Sequence, residues 1–249
     1  MKAHCSSLKQ FIARRLDLSN KDAVHHILSG RVLVNGKQGA LSHVLLPEDE
    51  VQADGQLIKE ANKKVYLAYH KPRGIESTMN AGIENNLLEA LDFTQRVYPV
   101  GRLDKESEGL MLLTDDGALL YKILHAERHQ EKEYLVSLDK PVTPEALALL
   151  ASGVVIMGER TRPARVSQVD ARTFRIILTQ GRNRQIRRMC YQLGYRVEKL
   201  VRIRMLSLEL GDLKPGEWRP LSQQQINAIH QGLWAGAGHH PLPGQGIGA

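Results

Sequence analysis

The sequence predicts an α+β protein, in which a small helical domain precedes a larger domain built on a mixed, mainly antiparallel sheet with flanking helices. Three observations support this class. About the first 60 residues hold two short helical patterns and a hairpin signal. Beyond them, strand-like and helical segments alternate irregularly, without the β-α repeat or glycine-rich phosphate loop of doubly wound folds. With 249 residues, 42% of them hydrophobic, the chain is long enough for two packed cores.

The first domain is expected over residues 6–61 and opens with two amphipathic helices. The first helix presents its apolar residues at helical spacing, at Leu8, Phe11, Ile12 and Leu16. In the second helix, Ser19 is the predicted N-cap, Asp22 follows three residues later, and Gly30 is the expected end. Two short helices therefore follow each other near the N-terminus.

A hairpin is predicted directly after the two helices. The stretch "RVLVNGK" alternates apolar and polar residues as a strand does, and it runs into Asn35-Gly36. This dipeptide is the strongest short hairpin signal, because both residues accept a positive φ angle. The order helix, helix, hairpin is expected to complete the first domain.

The second domain is expected over residues 62–232. It contains strand candidates at residues 65–70, 110–114, 132–138, 174–179, 197–204 and 206–210, and helical patterns near 118–125, 144–152, 184–193 and 222–232. In the second of these helices, Thr143 is the predicted N-cap, Pro144 takes the first helical position, and Gly153 ends the helix. Residues 233–249, rich in glycine and proline, are predicted to form a disordered tail.

The formal net charge of +7 is concentrated in two segments. Residues 182–204 carry eight Lys or Arg against Glu198 alone, and residues 1–40 carry seven against two acids. Such clusters favour a polyanionic partner, although a solvated charged surface is the simpler alternative. Neither segment has the spare apolar face that membrane-binding helices expose, so we expect no contact with a membrane.

The cysteines and the apolar runs indicate the compartment. Cys5 and Cys190 have neither metal-ligand spacing nor neighbours for a disulfide framework, which fits a reducing environment. No apolar run is long enough for a signal peptide or a membrane span. We therefore expect a cytoplasmic protein.

The helix expected near residues 184–193 has two distinct sides. Its core stripe consists of Ile186, Met189, Cys190 and Leu193. Asn183 is the predicted N-cap. Arg184 and Arg188 lie on the opposite side, where their forked donors match phosphate oxygens. Arg187 lies on the border between the buried and exposed sides, where a functional cation can enter a cleft.

The carboxylate of Asp104 stands between Arg102 and Lys105 in the stretch "GRLDKESEGLMLLTDDG". On an extended segment Asp104 shares a face with Arg102, so a surface ion pair is one interpretation. The other interpretation is a carboxylate held in place for chemistry. No Ser, His or second acid lies at a spacing that indicates a catalytic triad or a glycosidase pair, so local chemistry alone names no reaction.

Two resemblances extend this interpretation. The first domain, with "SGRVLVNGK" as its most typical stretch, resembles the S4 RNA-binding domain. Behind it, five motifs in order are similar to the RsuA-type pseudouridine synthases: "HKPRGIEST", "GRLDKESEGLMLLTDDG", "EKEYLVSLDKPV", "QGRNRQIRRMCYQLGYRV" and "LKPGEWRPL". The resemblance covers roughly residues 6–230. Within this family, the F-type enzymes of large-subunit ribosomal RNA are the most similar, with the B and E types next.

The resemblance implies a role for each motif residue. Asp104 is expected to be the catalytic carboxylate that initiates cleavage of the N-glycosidic bond of uridine, either as a nucleophile or by stabilising charge at the sugar. Tyr134 is expected to stack on the extruded base, and Leu200 to line the base pocket. Arg187 is expected to pair with Asp104 and hold it ionised. Arg102 is expected to support the backbone of the flipped nucleotide.

The same resemblance implies contacts to RNA on both basic segments. Arg184 and Arg188 are expected to bind RNA in the second domain, and Lys21 and His25 in the first. An ordinary surface position is the simpler interpretation of His25. The resemblance implies no metal, no redox cofactor and no nucleotide cofactor, and the chain is expected to act as a monomer.

The implied function is the isomerisation of a specific uridine to pseudouridine in structured RNA, with large-subunit (23S) ribosomal RNA as the expected target. Two alternatives stay open. One is an enzyme that acts on transfer RNA, alone or besides ribosomal RNA. The other is a non-catalytic S4-type RNA-binding protein of ribosome assembly, and the presence of Asp104 argues against it.

Overall fold

The structure, a computed structural model, describes residues 7–125 and 130–235. The chain divides into two compact units, Met1–Lys64 and Val65–Ala249. Each unit has its own buried core, so the two are packed as separate hydrophobic bodies.

The first unit combines two helices with a small sheet. Its elements are α1 (Leu8–Arg15), α2 (Asn20–Leu28), β1 (Val32–Val34), β2 (Lys37–Gln38), β3 (Val51–Ala53) and β4 (Gln56–Lys59). The strands pair antiparallel in the order β2-β1-β3-β4. The core consists of apolar side chains from both helices and from β1 and β3, among them Leu8, Ile12, Ala23, Ile27, Val32 and Val51.

The local signals of the first unit are confirmed. The Ser19 hydroxyl oxygen accepts a hydrogen bond of 3.2 Å from the N–H of Asp22 and caps α2. Gly30 follows the end of this helix with a φ of 77°. Asn35 and Gly36 have φ angles of 52° and 76°, the pair that a two-residue type I′ turn between β1 and β2 requires.

The second unit is built on one large sheet. Its elements are β5 (Tyr66–Lys71), α3 (Leu87–Ala90), β6 (Tyr98–Pro99), β7 (Glu108–Thr114), α4 (Gly117–His125), β8 (Lys132–Leu138), α5 (Pro144–Ser152), β9 (Val155–Ile156), β10 (Glu159–Arg160), β11 (Arg165–Gln168), β12 (Thr173–Leu178), α6 (Gln185–Gln192), β13 (Val197–Met205), β14 (Leu208–Glu209), β15 (Trp218–Pro220) and α7 (Gln223–Ala235).

The sheet order is β11-β12-β8-β13-β7-β5-β15, with β6 paired to β7 and β14 to β13. The neighbours run antiparallel except β13 and β7, which are parallel over Val201 with Glu108 and Arg202 with Gly109. The predicted mixed, mainly antiparallel sheet is therefore confirmed. The parallel pair brings the beginning of β7 against the middle of β13.

Side chains that alternate along the central strands separate the two faces of the sheet. Val136 of β8 and Leu200 of β13 belong to a core that includes residues of α5 and α6. Their neighbours Leu135 and Val201 pack on the other face, with residues of α4 and α7. A third cluster includes Leu87 of α3, and Tyr134 contacts both it and the first core, so α3, α5 and α6 share one face.

The α5 predictions are confirmed at both ends. The Thr143 hydroxyl oxygen accepts from the N–H of Ala146 at 3.2 Å, Pro144 is the first helical residue, and Gly153 follows the helix with a φ of 95°. The strand Lys132–Leu138 also has its predicted bounds. Strong caps and long alternation thus place these elements correctly.

Two predictions about element ends are wrong. Arg184, not Asn183, is the N-cap of α6, with a φ of 50° and no capping hydrogen bond from its side chain. Asn183 instead accepts hydrogen bonds from the Arg188 guanidinium. The strand expected over 206–210 shortens to Leu208–Glu209, because Leu206 has a φ of 56° and lies in a turn.

The predicted tail also starts too early. α7 continues through Ala235, because Leu233 and Ala235 are good helix formers and the glycine-rich run begins only at Gly236. The rest of the predicted tail, 236–249, lies outside the described residues. Among the helices that the structure describes, none is both long and apolar enough to cross a membrane.

Candidate active site

Asp104 lies in a loop, residues 100–107, that leads into β7 and is called the Asp104 loop below. The carbonyl oxygen of Asp104 accepts from the N–H of Ser107 at 2.9 Å, which closes a turn. The Asp104 side chain is half-buried. Its carboxylate makes no hydrogen bond and no ion pair with any other described residue, so it stays available.

The backbone on both sides of Asp104 is held by the segment that follows β5. The N–H of Leu103 donates to the Ser77 hydroxyl oxygen at 3.0 Å, and this hydroxyl donates to the Leu103 carbonyl at 2.6 Å. On the other side, the carbonyl of Lys105 accepts from the N–H of Gly74 at 2.8 Å. The carboxylate is therefore open while the chain that carries it is fixed.

Lys71, the last residue of β5, is fully buried beside this loop. Its ammonium group donates to the carbonyls of Pro72 and Ile75, both at 2.7 Å, and to that of Lys105 at 3.5 Å. Burial lowers the pKa of Lys71 to about 8, and the nearby carboxylates, including that of Asp104, act in the opposite direction. Lys71 thus places a buried cation near Asp104.

Arg187 of α6 reaches the Asp104 loop in a different way from the one expected. Its Nη2 donates to the Glu106 carbonyl at 2.7 Å, and its Nη1 donates to the Val197 carbonyl of β13 at 3.0 Å. No ion pair between described residues joins Arg187 to Asp104, so the direct pair expected from the resemblance is not formed. Burial lowers the pKa of Arg187, the charge of Arg184 adds to this effect, and Asp104 opposes it. Arg187 therefore acts on Asp104 through space and through the loop backbone.

The second carboxylate of the loop is already neutralised. Glu106 forms an ion pair with Arg73, whose Nη2 lies 2.7 Å from a carboxylate oxygen. This hydrogen bond from Arg73 holds the pKa of Glu106 below its ordinary value. Asp104 and Glu106 are two residues apart, yet only the Glu106 carboxylate has a cation bound to it in the described part of the chain.

One row of residues crosses the sheet next to the Asp104 loop. The strand register aligns Lys71 of β5 with Gly109 of β7, Gly109 with Arg202 of β13, and Arg202 with Tyr134 of β8. Residues aligned in neighbouring strands lie on the same face. Two buried cations and Tyr134 therefore share one face, separated by the glycine.

Arg202 is a candidate site residue that the sequence did not indicate. It is 1% exposed and has no acidic partner among the described residues. Its Nε donates to the Leu110 carbonyl at 2.7 Å, where the short parallel ladder of β7 and β13 ends, and its Nη2 is buried without a described partner. The neighbouring Arg204 binds Glu133 and Glu131, and the alternation of arginines in this strand does not distinguish the two.

Gly109 allows the close approach of β7 and β13. It has a φ of 113°, and a Cβ atom at this position would lie 2.4 Å from the carbonyl oxygen of Arg202. Such a contact is impossible without moving a strand. The two strands therefore meet backbone to backbone at the beginning of β7, directly after the Asp104 loop.

Tyr134 and Leu200 lie on the same face as Arg202. Tyr134 is half-buried between two core clusters, and its hydroxyl makes no hydrogen bond with the described residues. Leu200 is buried in the first of these clusters. Arg102, in contrast, is exposed and forms no ion pair with a described residue, so the surface pair of Arg102 with Asp104 is absent.

A groove of about 450 Å³ lies beside α6 and is called the α6 groove below. Arg184 and Arg188, the two arginines predicted to bind phosphate, line it together with Arg187. No acidic residue is among those that line it. The second basic segment of the sequence thus forms one positively charged groove, which Arg187 connects to the Asp104 loop.

The predicted RNA-binding residues of the first unit are Lys21 and His25, and both are exposed on α2. Neither side chain makes a hydrogen bond or an ion pair with another described residue. His26, in contrast, lies 2.8 Å from the carboxylate of Asp54. Lys21 and His25 therefore stay accessible on the surface of this unit.

The described residues offer neither a metal-ligand cluster nor an exposed thiol. Within residues 7–125 and 130–235, no group of three or more His, Cys, Asp or Glu can hold a metal ion. Cys190 is buried in the core under α6, and burial raises the pKa of its thiol to about 12. Cys190 is therefore a packing residue.

A family of known sequences matches the part of the chain that carries this geometry. Residues 65–192 match the family described as RNA pseudouridylate synthase. This range includes the Asp104 loop, β8 with Tyr134, and α6 with Arg187.

Similar proteins cover almost the whole chain. The dual-specificity RNA pseudouridine synthase RluF of Escherichia coli K12 is 42% identical over 221 residues, which are 88% of this chain and 76% of the relative. The ribosomal small subunit pseudouridine synthase A of Salmonella typhimurium is 34% identical over 230 residues, covering 89% of this chain and 99% of the relative. A crystal structure of a pseudouridylate synthase superposes with a TM-score of 0.63 at 30% identity, covering 90% of this chain and 99% of that one.

Proposed function

The chain belongs to the RNA pseudouridylate synthase family, as its sequence motifs indicate, and we propose that it isomerises a specific uridine of structured RNA with Asp104 as the catalytic carboxylate. Its 42% sequence identity to RluF agrees with the predicted similarity to the F-type enzymes. The activity class is that of a pseudouridine synthase, an enzyme that rearranges a nucleotide within RNA.

The proposed reaction exchanges one bond at the sugar for another. The bond between C1′ of the ribose and N1 of uracil breaks, the base turns, and a bond between C1′ and C5 forms. C5 then loses a proton and N1 gains one, so substrate and product have the same composition and no oxidant or reductant is needed. The target base must leave its stack to reach a side chain, which requires base flipping.

The single observation that carries the assignment of Asp104 is an open carboxylate on a fixed backbone. Ser77 and Gly74 hold the residues on either side of Asp104, while the carboxylate has no partner among the described residues. A group that serves only stability would normally be paired, as Glu106 is. This arrangement supports the proposal that Asp104 contacts the sugar of a flipped nucleotide.

The surrounding residues take supporting roles in this proposal. Tyr134, half-buried with an unbonded hydroxyl, stacks on the flipped base, and Leu200 forms the apolar wall beside it. Arg187 fixes the Asp104 loop through the Glu106 carbonyl and contributes positive charge. Arg102, exposed at the entrance of the loop, contacts the phosphate backbone of the flipped nucleotide.

The proposed substrate is large-subunit (23S) ribosomal RNA. The relative named as a ribosomal small subunit enzyme supports ribosomal RNA as the substrate class, and the dual-specificity name of RluF leaves room for a second kind of RNA, for which we propose transfer RNA. The first unit is proposed to be an S4-like RNA-binding domain that contacts RNA through Lys21 and His25. The enzyme is proposed to act as a cytoplasmic monomer without a cofactor.

Mapping of pseudouridines tests the proposal directly. Ribosomal and transfer RNA are isolated from cells with and without the gene, and the purified protein is then added to RNA from the cells that lack it. We expect at least one large-subunit position to be lost with the gene and restored by the wild-type protein. Restoration only in transfer RNA would select the second candidate substrate, and no restored position at all would contradict the proposed function.

A further inference from the structure

The α6 groove has features that phosphate binding by arginines does not require. Its rim carries two large exposed apolar side chains, Tyr191 of α6 and Met157 of the β9–β10 turn, which are 77% and 69% exposed. Isolated exposed apolar residues are ordinary, but these two line the same basic groove. Aromatic and thioether groups are suited to the faces of nucleobases.

Met157 occupies a backbone conformation that costs free energy. It has a φ of 51° and precedes Gly158, whose φ is 80°, in the two-residue turn between β9 and β10. Such a type I′ turn favours Asn or Gly at the first position, because a side chain with a longer stem crowds the backbone there. An exposed methionine at this position therefore serves neither the turn nor the core, which points to contact with a ligand.

Arg184, which also lines the groove, likewise combines an exposed side chain with a positive φ angle. It is exposed, has a φ of 50° and gives α6 no capping hydrogen bond. The guanidinium groups of Arg184 and Arg196 make no hydrogen bond with any described residue, whereas Arg188 is held by Asn183. Two unpaired cations thus stand beside two exposed apolar side chains.

Arg187 links the groove to the candidate active site. Arg187 lines it and also donates to the Glu106 carbonyl of the Asp104 loop. Its volume of about 450 Å³ lies in the range of small-molecule sites, so it has room for about one nucleotide. Basic side chains with an open aromatic ring are the arrangement that binds single-stranded nucleic acid.

We propose that the α6 groove binds an unpaired nucleotide that neighbours the target uridine, with its base between Tyr191 and Met157 and its phosphates on Arg184 and Arg196. This inference rests on the proposed function, because it makes the groove a subsite of the same RNA substrate. The enzyme then recognises its target through two unstacked nucleotides, one at Asp104 and one at α6. An RNA whose target uridine has a paired neighbour on that side is a poor substrate.

The experiment measures binding of a fluorescein-labelled 12-nucleotide single-stranded RNA of mixed sequence, and of the same RNA annealed to its complement. Replacing Tyr191 by Ala is expected to weaken binding of the single strand by roughly 5-fold or more, since base stacking on an aromatic ring has this magnitude. The slope of affinity against salt concentration stays unchanged, because no charge is lost. Tyr191→Phe retains the ring and is expected to bind like the wild type.

The matched control is Tyr121→Ala, which removes an exposed tyrosine from α4. It is expected to bind both RNAs like the wild type. Met157→Asn is expected to raise Tm by roughly 2–4 °C, because Asn fits the turn, and at the same time to weaken binding of the single strand. A Met157→Asn variant that gains stability but binds the single strand like the wild type would contradict a role of Met157 in binding.

Several outcomes overturn the inference. Equal affinity of the Tyr191→Ala variant and the wild type for the single strand contradicts it. The inference is also contradicted if the Tyr191→Ala variant binds an oligo-aspartate peptide less tightly than the wild type but binds the RNA equally well. The groove would then bind an acidic protein segment. Pseudouridine formation by the wild type is measured in parallel. Its absence would remove the proposed function, whereas an unaffected Tyr191→Ala variant of an active enzyme removes only this inference.

Discussion

Arg187 Nη2 donates a hydrogen bond of 2.7 Å to the Glu106 carbonyl oxygen, and this contact ties α6 to the loop that carries Asp104. The same guanidinium also binds the Val197 carbonyl of β13 at 3.0 Å. A planar group with two terminal nitrogens can hold both carbonyls at once, which a single ammonium group cannot do in the same geometry.

Replacing Arg187 by Lys should therefore separate charge from geometry. The cation is kept but one of the two carbonyl contacts is lost, so the Asp104 loop shifts. We expect kcat to fall by roughly 10- to 100-fold while KM changes little. Arg188→Lys, one residue further along α6, is the matched control and should keep kcat. Full activity of the Arg187→Lys variant would show that only its charge matters.

Asp104→Asn should abolish pseudouridine formation and leave RNA affinity within a few-fold of the wild type. The amide has nearly the same shape, but it neither attacks the sugar nor stabilises positive charge there. One neutralised carboxylate has little effect among many phosphate contacts. Glu106→Gln is the control, because it changes the other carboxylate of the same loop. Turnover by the Asp104→Asn variant would contradict its catalytic assignment.

Lys71 should make the free energy of unfolding depend on pH in the alkaline range. Its pKa is about 8 in the folded protein, against 10.5 for the unfolded chain. Between these two values the unfolded state holds a proton that the folded state has released, so the free energy of unfolding rises with pH, by up to about 1.4 kcal/mol per pH unit. Below pH 8 both states are protonated and the effect disappears.

Urea unfolding of the wild type and of Lys71→Met at pH 7.5 and pH 9.5 measures this contribution. The difference in unfolding free energy between the two proteins should shift in favour of the wild type at the higher pH. The variant should also be less stable at both values, because the carbonyls of Pro72 and Ile75 lose their donor. A difference that does not change with pH would mean that Lys71 keeps its proton throughout.

Arg184 and Arg188 should act on affinity rather than on folding. Replacing both by Gln should weaken RNA binding at low salt and flatten the slope of log affinity against log salt concentration by about 2. Tm should change little, because the core residues of α6 are untouched. The double variant Arg172→Gln with Arg175→Gln removes the same charge elsewhere in the unit. An equal change of slope in this control would indicate a general charge effect.

Removal of the first 64 residues tests the separation of the two units. The fragment 65–249 contains its own core clusters and Asp104, Tyr134 and Arg187, so it should fold. We expect it to lose affinity for structured RNA but to modify a short target fragment at high concentration. The same fragment with Asp104→Asn provides the blank. An unfolded fragment would show that the second unit does not fold on its own. Unchanged affinity for structured RNA would show that the first unit does not contribute to RNA binding.

Local signals account for most of what was predictable from the sequence. Ser19 and Thr143 are helix caps whose hydrogen bonds involve only residues three positions away, so their effect is visible in a short window. The Asn35-Gly36 turn is equally local. In the second unit, long alternating segments identify β8 and β13, and the motifs of the family identify the loop of Asp104.

The remaining features depend on contacts between residues distant in the chain. Arg202 is buried and Arg204 binds two glutamates, although both stand in the same alternating strand. The difference arises from a register shift between Arg202 and Arg204 in the pairing of β13 with β8, which aligns Arg202 with Tyr134 and Arg204 with Glu133. Likewise, the resemblance predicts a direct pair of Arg187 with Asp104, but the position of Glu106 in the folded loop offers Arg187 a carbonyl instead. Short strands such as β9 and β10 are below the length at which periodicity can be detected.

The parallel pairing of β7 with β13 also determines at which stage of translation the candidate active site can form. Glu108 and Val201 are partners in the sheet but lie 93 residues apart in the chain. Translation proceeds from the N-terminus, and units generally fold in that order. The first unit can therefore fold before the sheet that positions the Asp104 loop is complete. Because Arg184, Arg187 and Arg202 emerge late, the proposed RNA-binding residues Lys21 and His25 of the first unit are in place before either the α6 groove or the candidate active site can form.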